Sequence, residues 1–356
     1  GEGEGEGEGE GEPNWCGDGI LDPTQEGCDD GNGTGGDGCS GACVIEPGFQ
    51  CPAGGAGACW RYFPWKPTGV ADAVSGVLAA PPDLVINCGV GTLDTDMQLA
   101  GYVSICGTSV PTTEIIREGD GQSAVVFKVR NLEVRDFGNV AFIGSHIPMF
   151  LVYGDATLTQ GALDVSTGAY PGAGARTGLD ACRGEAGGLL NGGGGGANVG
   201  NGGAGAIGGT PNGGAGGTGS VSDALVGGCS GGNGGVDGAG SPGGSSGDGG
   251  GAIQISVAGT LSAWADSVRA HGGVGGAPAT GTTAFGGGGG AGGSILLEAS
   301  TTTDVYLDRL SVQGGRGGAG GSSAGTGGLG ANGTDPAAHG NPGALGSSVP
   351  PDGGGG

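Results

Sequence analysis

Two stretches set 42 residues apart, 251–277 and 293–319, lie over one another without a gap. They read GAIQISVAGTLSAWADSVRAHGGVGGA and GSILLEASTTTDVYLDRLSVQGGRGGA. Ile253 meets Ile295, Ile255 meets Leu297, Ala263 meets Val305, Trp264 meets Tyr306 and Val268 meets Leu310. Each copy is a short alternating run of strand-forming residues followed by a Gly-Gly burst. A unit this small cannot bury its apolar face alone, so repetition implies stacking of coils on one another, as in a solenoid. Residues 150–166 read as an earlier, poorer copy. Phe150, Val152, Leu158, Leu163 and Val165 fall in register with Leu297, Ala299, Val305, Leu310 and Val312.

Glycine decides what the rest of the chain can do. It supplies 99 of 356 residues, roughly four times the usual share of about 7%. With no side chain to bury, the second half cannot build a thick core, only a thin one under short strands. Between residues 83 and 166 the runs LVINC, VVFKVRNLEVRDF, VAFIG, MFLVYG, ATLTQ and ALDVS are β-rich and broken by Gly, Asp or Asn. No segment of useful length has a helical period. A strand coil of 21 residues suits a parallel β-helix. The glycine-rich inserts at 168–250, 272–292 and 314–356 admit two readings. They are floppy loops, or they are extended polyproline-II-like runs packed side by side, which residues lacking Cβ permit. A strict Gly-X-Y triplet is missing, which excludes collagen.

The N-terminal sixty residues differ. They carry thirteen Asp or Glu and no Lys or Arg, and Lys66 and Lys128 are the only lysines in a chain of formal charge −24. Neutralising phosphates takes Lys and Arg, so nucleic acid is excluded as a partner. Residues 1–12, six Gly-Glu pairs, form an extended solvated tether. A start without Met suggests that a leader has been removed, and a lipid anchor upstream of the tether is one arrangement. No run is long and apolar enough to span a membrane.

Ten cysteines occur: Cys16, Cys28, Cys39, Cys43, Cys51, Cys59, Cys88, Cys106, Cys182 and Cys229. Six within 44 residues, with few apolar neighbours, read as a disulfide framework made in an oxidising compartment. Zinc is disfavoured, since only Cys39 and Cys43 are spaced as a ligand pair and no histidine is near. Asp29, Asp30, Asn32 and Asp37 offer four oxygen ligands within nine residues among turn-forming glycines, as a calcium ion would require. They lack EF-hand spacing, and the same residues also serve as ordinary turn formers. The motifs C-G-D-G-I from Cys16, E-G-C-D-D-G-N from Glu26 and G-D-G-C-S-x-x-C to Cys43, with Glu46, resemble the Myxococcus cysteine-rich repeat. That module is similar to the Lin-Notch-type repeats of pappalysins. The resemblance covers about residues 16–51. It implies an extracellular or outer-surface bacterial protein with disulfides and suggests calcium for the acidic loop, and it names no activity.

Catalytic signatures are sparse. G-x-G-x-x-G is uninformative at this glycine content, and neither lysine is followed by the Ser or Thr of a P-loop. Residues 231–237, GGNGGVD, approach a calcium-binding solenoid nonapeptide without iterating. His146, His271 and His339 show neither metal nor triad spacing and read as surface or turn residues. Arg130, Arg135 and Asp136, or Asp308 and Arg309, are the candidates were this a β-helix lyase or hydrolase, although such neighbours usually form solvated ion pairs. The aromatic cluster at 60–70, WRYFPWKPTGV, reads as a plug or a linker anchor, with binding of a sugar or a partner as the alternative. Thr282–Thr283 and Thr301–Thr303 are too few for an ice-binding ladder.

The sequence therefore predicts an all-β chain: a small disulfide-rich module at 13–60, an aromatic and proline linker or cap at 61–82, and a right-handed parallel β-helix beginning at 83–167. The helix is interrupted by a glycine-rich insert at 168–250 and continues as repeated coils over 251–356. The expected function is non-catalytic, in adhesion, matrix or filament assembly. Self-association and surface glycans are the expected partners, and calcium is the expected cofactor. Polysaccharide or ice binding is the first alternative and polysaccharide cleavage the second.

Overall fold

A computed structural model describes residues 16–320 and 334–338, apart from 47, 53, 64, 72–80, 98–99, 169, 177–180, 199–200, 206–212, 220–224, 265–266, 306–309 and 311. Every regular element among them is a strand. The chain divides into two compact units, one of residues 1–64 and 76–80, the other of 65–75 and 81–356.

Among the described residues of the first unit the paired strands are β1 (Phe49–Gln50) and β2 (Trp60–Arg61), which run antiparallel. Sulfur takes the place of an apolar core here. Cys28, Cys39, Cys43, Cys51 and Cys59 are buried together, with Cys16 and Phe49 packed against them. The pairs are Cys16–Cys43, Cys28–Cys39 and Cys51–Cys59.

The second unit is a stack of coils, each contributing strands to up to three parallel ladders. The first ladder runs β7 (Ser123–Val129), β10 (Ile147–Val152), the start of β13 (Ala252–Ala263), β15 (Ser294–Thr302) and β16 (Thr334–Ala338). The second runs β3 (Leu84–Ile86), β8 (Leu132–Val134), β11 (Ala156–Leu158) and the end of β13. The third runs β4 (Gly89–Asp94), β9 (Gly138–Ile143), β12 (Gly161–Asp164) and β14 (Val268–Arg269). Two strands break the parallel pattern. β5 (Ala100–Ile105) and β6 (Thr108–Ile116) form a hairpin, and β6 pairs antiparallel with β7, so the hairpin covers one end of the first ladder. This hairpin has no counterpart in the repeat and is not foreshadowed by it.

Alternation along each strand sends one set of side chains inward. Val125, Phe127 and Val129 meet Leu132 and Val134 of the second ladder and Val140 and Phe142 of the third in one buried cluster. Phe127 stacks on Phe150 with centroids 4.9 Å apart, and Phe142 meets both edge-on at 6.0 Å. Each such ring contact adds about 0.5–1.5 kcal/mol beyond the apolar burial. Ile253, Ile255, Ile295 and Leu297 extend the cluster through later coils, in the pairing that the repeat predicts. Along the β13–β15 pairing the ungapped overlay departs at a bulge after Val257, which sets Thr260 against Thr301 instead of Thr302.

The glycine-rich inserts form a second layer in which backbone packs on backbone. Their hydrogen bonds recur every third residue, the repeat of a polyproline-II helix and not of a strand. Gly228, Gly231 and Gly234 donate to the carbonyls of Gly250, Gly247 and Gly244; Gly244, Gly247 and Gly250 in turn donate to those of Phe285, Gly288 and Ala291. Gly287, Gly290 and Gly293 donate to Gly276, Gly273 and Ala270. Residues 286–290, five consecutive glycines, lie at the centre. A Cβ on each would strike a different neighbouring backbone, at Gly318, Ser245, Gly194, Gly315 and Asp248 in turn. Peripheral segments instead read Gly-Gly-x, with x outward: Val274 and Ala277 in one, Gln313, Arg316 and Ala319 in another. Among the described residues, then, the inserts are ordered runs, and a triplet register absent from the whole chain holds locally. Cys182–Cys229 cross-links two runs of this layer, and Cys88–Cys106 ties the first coil to the end of β5.

Candidate functional site

Three polar constellations and one exposed row stand out. In the acidic loop, Asn32 Nδ2 donates to Asp30 Oδ1 at 3.2 Å and to Asp37 Oδ2 at 3.0 Å, which brings three of the four expected residues together, while Asn32 Oδ1 accepts the Thr34 N–H at 2.7 Å. Burial pushes the Asp30 carboxyl above its ordinary range, and the charge of Asp37 beside it adds to the effect. Two carboxylates this close repel, and a divalent cation relieves that repulsion. Asp29 stands apart. It is fully buried and accepts the N–H groups of Gly17 (3.2 Å), Gly19 (3.1 Å) and Gly31 (2.8 Å). Burial would raise its pKa, but these three bonds outweigh it and hold the carboxyl low. Glu46 likewise accepts the N–H groups of Gly36 and Gly38. The sulfurs of Cys16, Cys39 and Cys43 lie close together, yet all ten cysteines are in disulfides, so they present no thiolates to a metal.

On the outer side of the first ladder a buried carboxylate, Glu298, organises the second constellation. Its oxygens accept the Thr68 N–H at 3.2 Å, the Thr68 hydroxyl, the Ser256 hydroxyl at 2.6 Å and Gln254 Nε2 at 3.1 Å. Gln254 Oε1 accepts from Arg117 Nη2 at 3.2 Å, and Arg117 pairs with Asp120. Sequence pattern could not reveal this group: Thr68 and Glu298 are 230 residues apart. It fastens residues 65–70 to the sheet, which makes the C-terminal part of the aromatic cluster an anchor of the second unit. Lys66 pairs there with Glu118 at 2.7 Å, and Val70 is fully buried.

The third constellation sits where the hairpin meets the coils. His146 Nδ1 lies 2.7 Å from Asp96 Oδ1 and 3.2 Å from Ser145 Oγ, while Nε2 faces Glu114 Oε1 at 3.3 Å. Asp96, which burial alone would push up, is held low by His146 and by the Ser145 N–H and hydroxyl. Ser, His and Asp thus come together at a histidine whose sequence context shows neither metal nor triad spacing. A Ser-His-Asp triad sets serine and aspartate on opposite ring nitrogens; here Ser145 and Asp96 both address Nδ1, and Glu114 takes Nε2. The group is a clasp between the β4–β5 connection, β6 and β10.

The other sequence candidates lie apart. Arg130 pairs with Asp83, to which Asn131 also donates at 2.8 Å; Arg135 faces Glu133 at 3.5 Å and Asp136 at 3.6 Å. All are solvated pairs at coil corners. Asp308, Arg309 and His339 fall outside the described residues. Gln313 N–H donates to His271 Nδ1 at 3.2 Å, which places His271 in the glycine layer. Asp237, at the end of GGNGGVD, accepts N–H groups from Ala239 and Ser241 and so closes a turn. At one corner of the second ladder, Phe137 is 84% exposed with φ +61° and Trp264 is 49% exposed. No described helix could cross a membrane, the described elements all being strands. Neither a family model, a curated protein nor a solved structure matches the chain.

Proposed function

We propose that this chain is a non-catalytic structural protein of the bacterial outer surface or extracellular matrix. On this reading the stacked coils are a right-handed parallel β-helix, the hand that parallel crossovers almost always adopt. The helix and its glycine layer serve as a stiff body that displays or joins other material. The observation that carries the proposal is the glycine layer: a body whose interior is interlocked backbone offers shape and rigidity and few side chains for chemistry. The polar clusters fit the same reading, because Glu298 and His146 bind the chain's own segments together. The cysteine-rich unit, resembling the Myxococcus repeat, would be the exported, disulfide-stapled head, with Asp30, Asn32 and Asp37 holding calcium. Self-association of these bodies gives filaments. Immunogold labelling of intact cells and electron microscopy of the purified chain test this. Surface label and end-to-end particles are expected. An exclusively internal label, with monomers at high concentration, would refute it.

A further inference from the structure

We propose that the outer face of the second ladder, with its following corner, is a binding row for a neutral polysaccharide. The proposal rests on the non-catalytic surface reading above. The pairing aligns Glu133, Thr157 and Ser262 on successive coils. Two residues further on, the chain places Arg135, Thr159 and Trp264 at the same level of each coil; the Trp264 N–H donates to Leu158 O at 2.8 Å. Phe137 and Gln160 follow, joined by a hydrogen bond from the Phe137 N–H to the Gln160 carbonyl. The result is a rank of hydroxyl, amide and carboxyl groups bordered by two exposed aromatic rings.

Three observations point to a sugar chain. First, Asp136 and Phe137 are consecutive left-handed residues, with φ of +52° and +61°. Outside glycine that conformation is costly, and strain of this kind gathers at functional sites. Here the strained residue is a phenylalanine presented to solvent. Second, the coils repeat at the strand spacing of about 4.8 Å, close to the advance of one pyranose unit, so a linear glycan laid along the stack keeps register with the coils. The levels of Arg135 and Trp264 are two coils apart, about 10 Å by the same spacing. Flat rings suit the apolar faces of sugars, and Thr, Ser and Gln suit their hydroxyls. Third, the charge selects a neutral polymer. The chain carries −24, and the one cation of the row, Arg135, already faces Glu133 and Asp136.

The test is retention of the full-length oxidised protein on swollen cellulose and colloidal chitin, with polygalacturonate as the acidic comparison. Wild type should be retained on at least one neutral polymer. Phe137→Asn and Trp264→Ala should each weaken retention tenfold or more. Tyr170→Ala, an exposed aromatic off the row, should bind as wild type does. Phe137→Asn also separates binding from folding, since asparagine tolerates the left-handed region: its unfolding midpoint should hold or rise while binding falls. The proposal is overturned if neither neutral polymer retains the wild type, if only polygalacturonate does, or if both row variants bind like wild type. Release of soluble sugar in the same tubes would instead sink the non-catalytic reading and leave the row standing.

Discussion

Gly288→Ala adds one methyl group at the centre of the glycine layer. Its Cβ would overlap the Gly194 carbonyl group and lie 3.0 Å from Gly193 O, and both obstacles are backbone. No rotamer change can relieve the overlap, so two runs must separate. Gly288 donates to Gly232 O and accepts from the Gly247 N–H, both at 2.8 Å, and separation weakens both bonds. Overpacking costs about 1–3 kcal/mol and each buried hydrogen bond lost about 1 kcal/mol, giving a loss of about 3–5 kcal/mol. Two controls sharpen the number. Gly281→Ala, at φ +87° with nothing within 4 Å, should cost only the left-handed penalty, about 1–2 kcal/mol. Val274→Ala, at an outward triplet position, should cost within about 0.5 kcal/mol. Denaturant unfolding of the three variants, with amide exchange at residues 286–290, reads the order. If Gly288→Ala is no worse than Val274→Ala, the layer is not close-packed.

Glu298→Ala removes the acceptor of the Thr68 N–H and hydroxyl and of the Ser256 hydroxyl in a buried site, takes one bond from Gln254 and removes a counter-charge of Arg117. A loss of about 3–5 kcal/mol is expected in urea melts; a loss under 1 kcal/mol would mean that residues 65–70 are not anchored there. Reduction should unfold the first unit, whose core is its cysteines, and spare the β-cored second unit. Limited proteolysis with and without dithiothreitol would then cut residues 16–60 first, and uniform resistance would contradict the assignment. Asp29 has a depressed folded pKa, so its stabilisation is present above the unfolded value of about 3.8 and lost as pH falls through the folded value. Asp30 is raised, so its stabilisation is present below the unfolded value and lost as pH climbs through its folded pKa. Calcium should therefore raise the thermal midpoint of the first unit at pH 7 and have little effect at pH 3. Asp37→Asn should remove the effect, and a calcium shift that survives it would exclude this loop.

The coil pairing was legible because inward positions must be apolar on every level. Ile253, Ile255 and Phe150 could be matched to Ile295, Leu297 and their coil by residue class alone. The bulge after Val257 was not, since a one-residue slip beside Gly259 leaves no trace in apolar pattern. The hairpin β5–β6 pairs only locally and with β7, so periodicity carried no sign of it. The contacts between Asp96 and His146 and between Thr68 and Glu298 join residues 50 and 230 apart through polar groups, which obey no spacing rule. The glycine layer was half visible. Composition could not separate ordered runs from loose ones; the Gly-Gly-x phase of Gln313, Arg316 and Ala319, read as a one-outward-position triplet, carried the missing signal.

The glycine layer also bears on how stability responds to temperature. Unfolding exposes peptide groups there far more than hydrocarbon, and polar exposure lowers the heat capacity change where apolar exposure raises it. A chain that interlocks backbone in this way has a flatter stability curve than a hydrocarbon-cored protein of equal size. Cooling, which weakens apolar burial, leaves such a layer nearly untouched, so cold denaturation is displaced to lower temperatures.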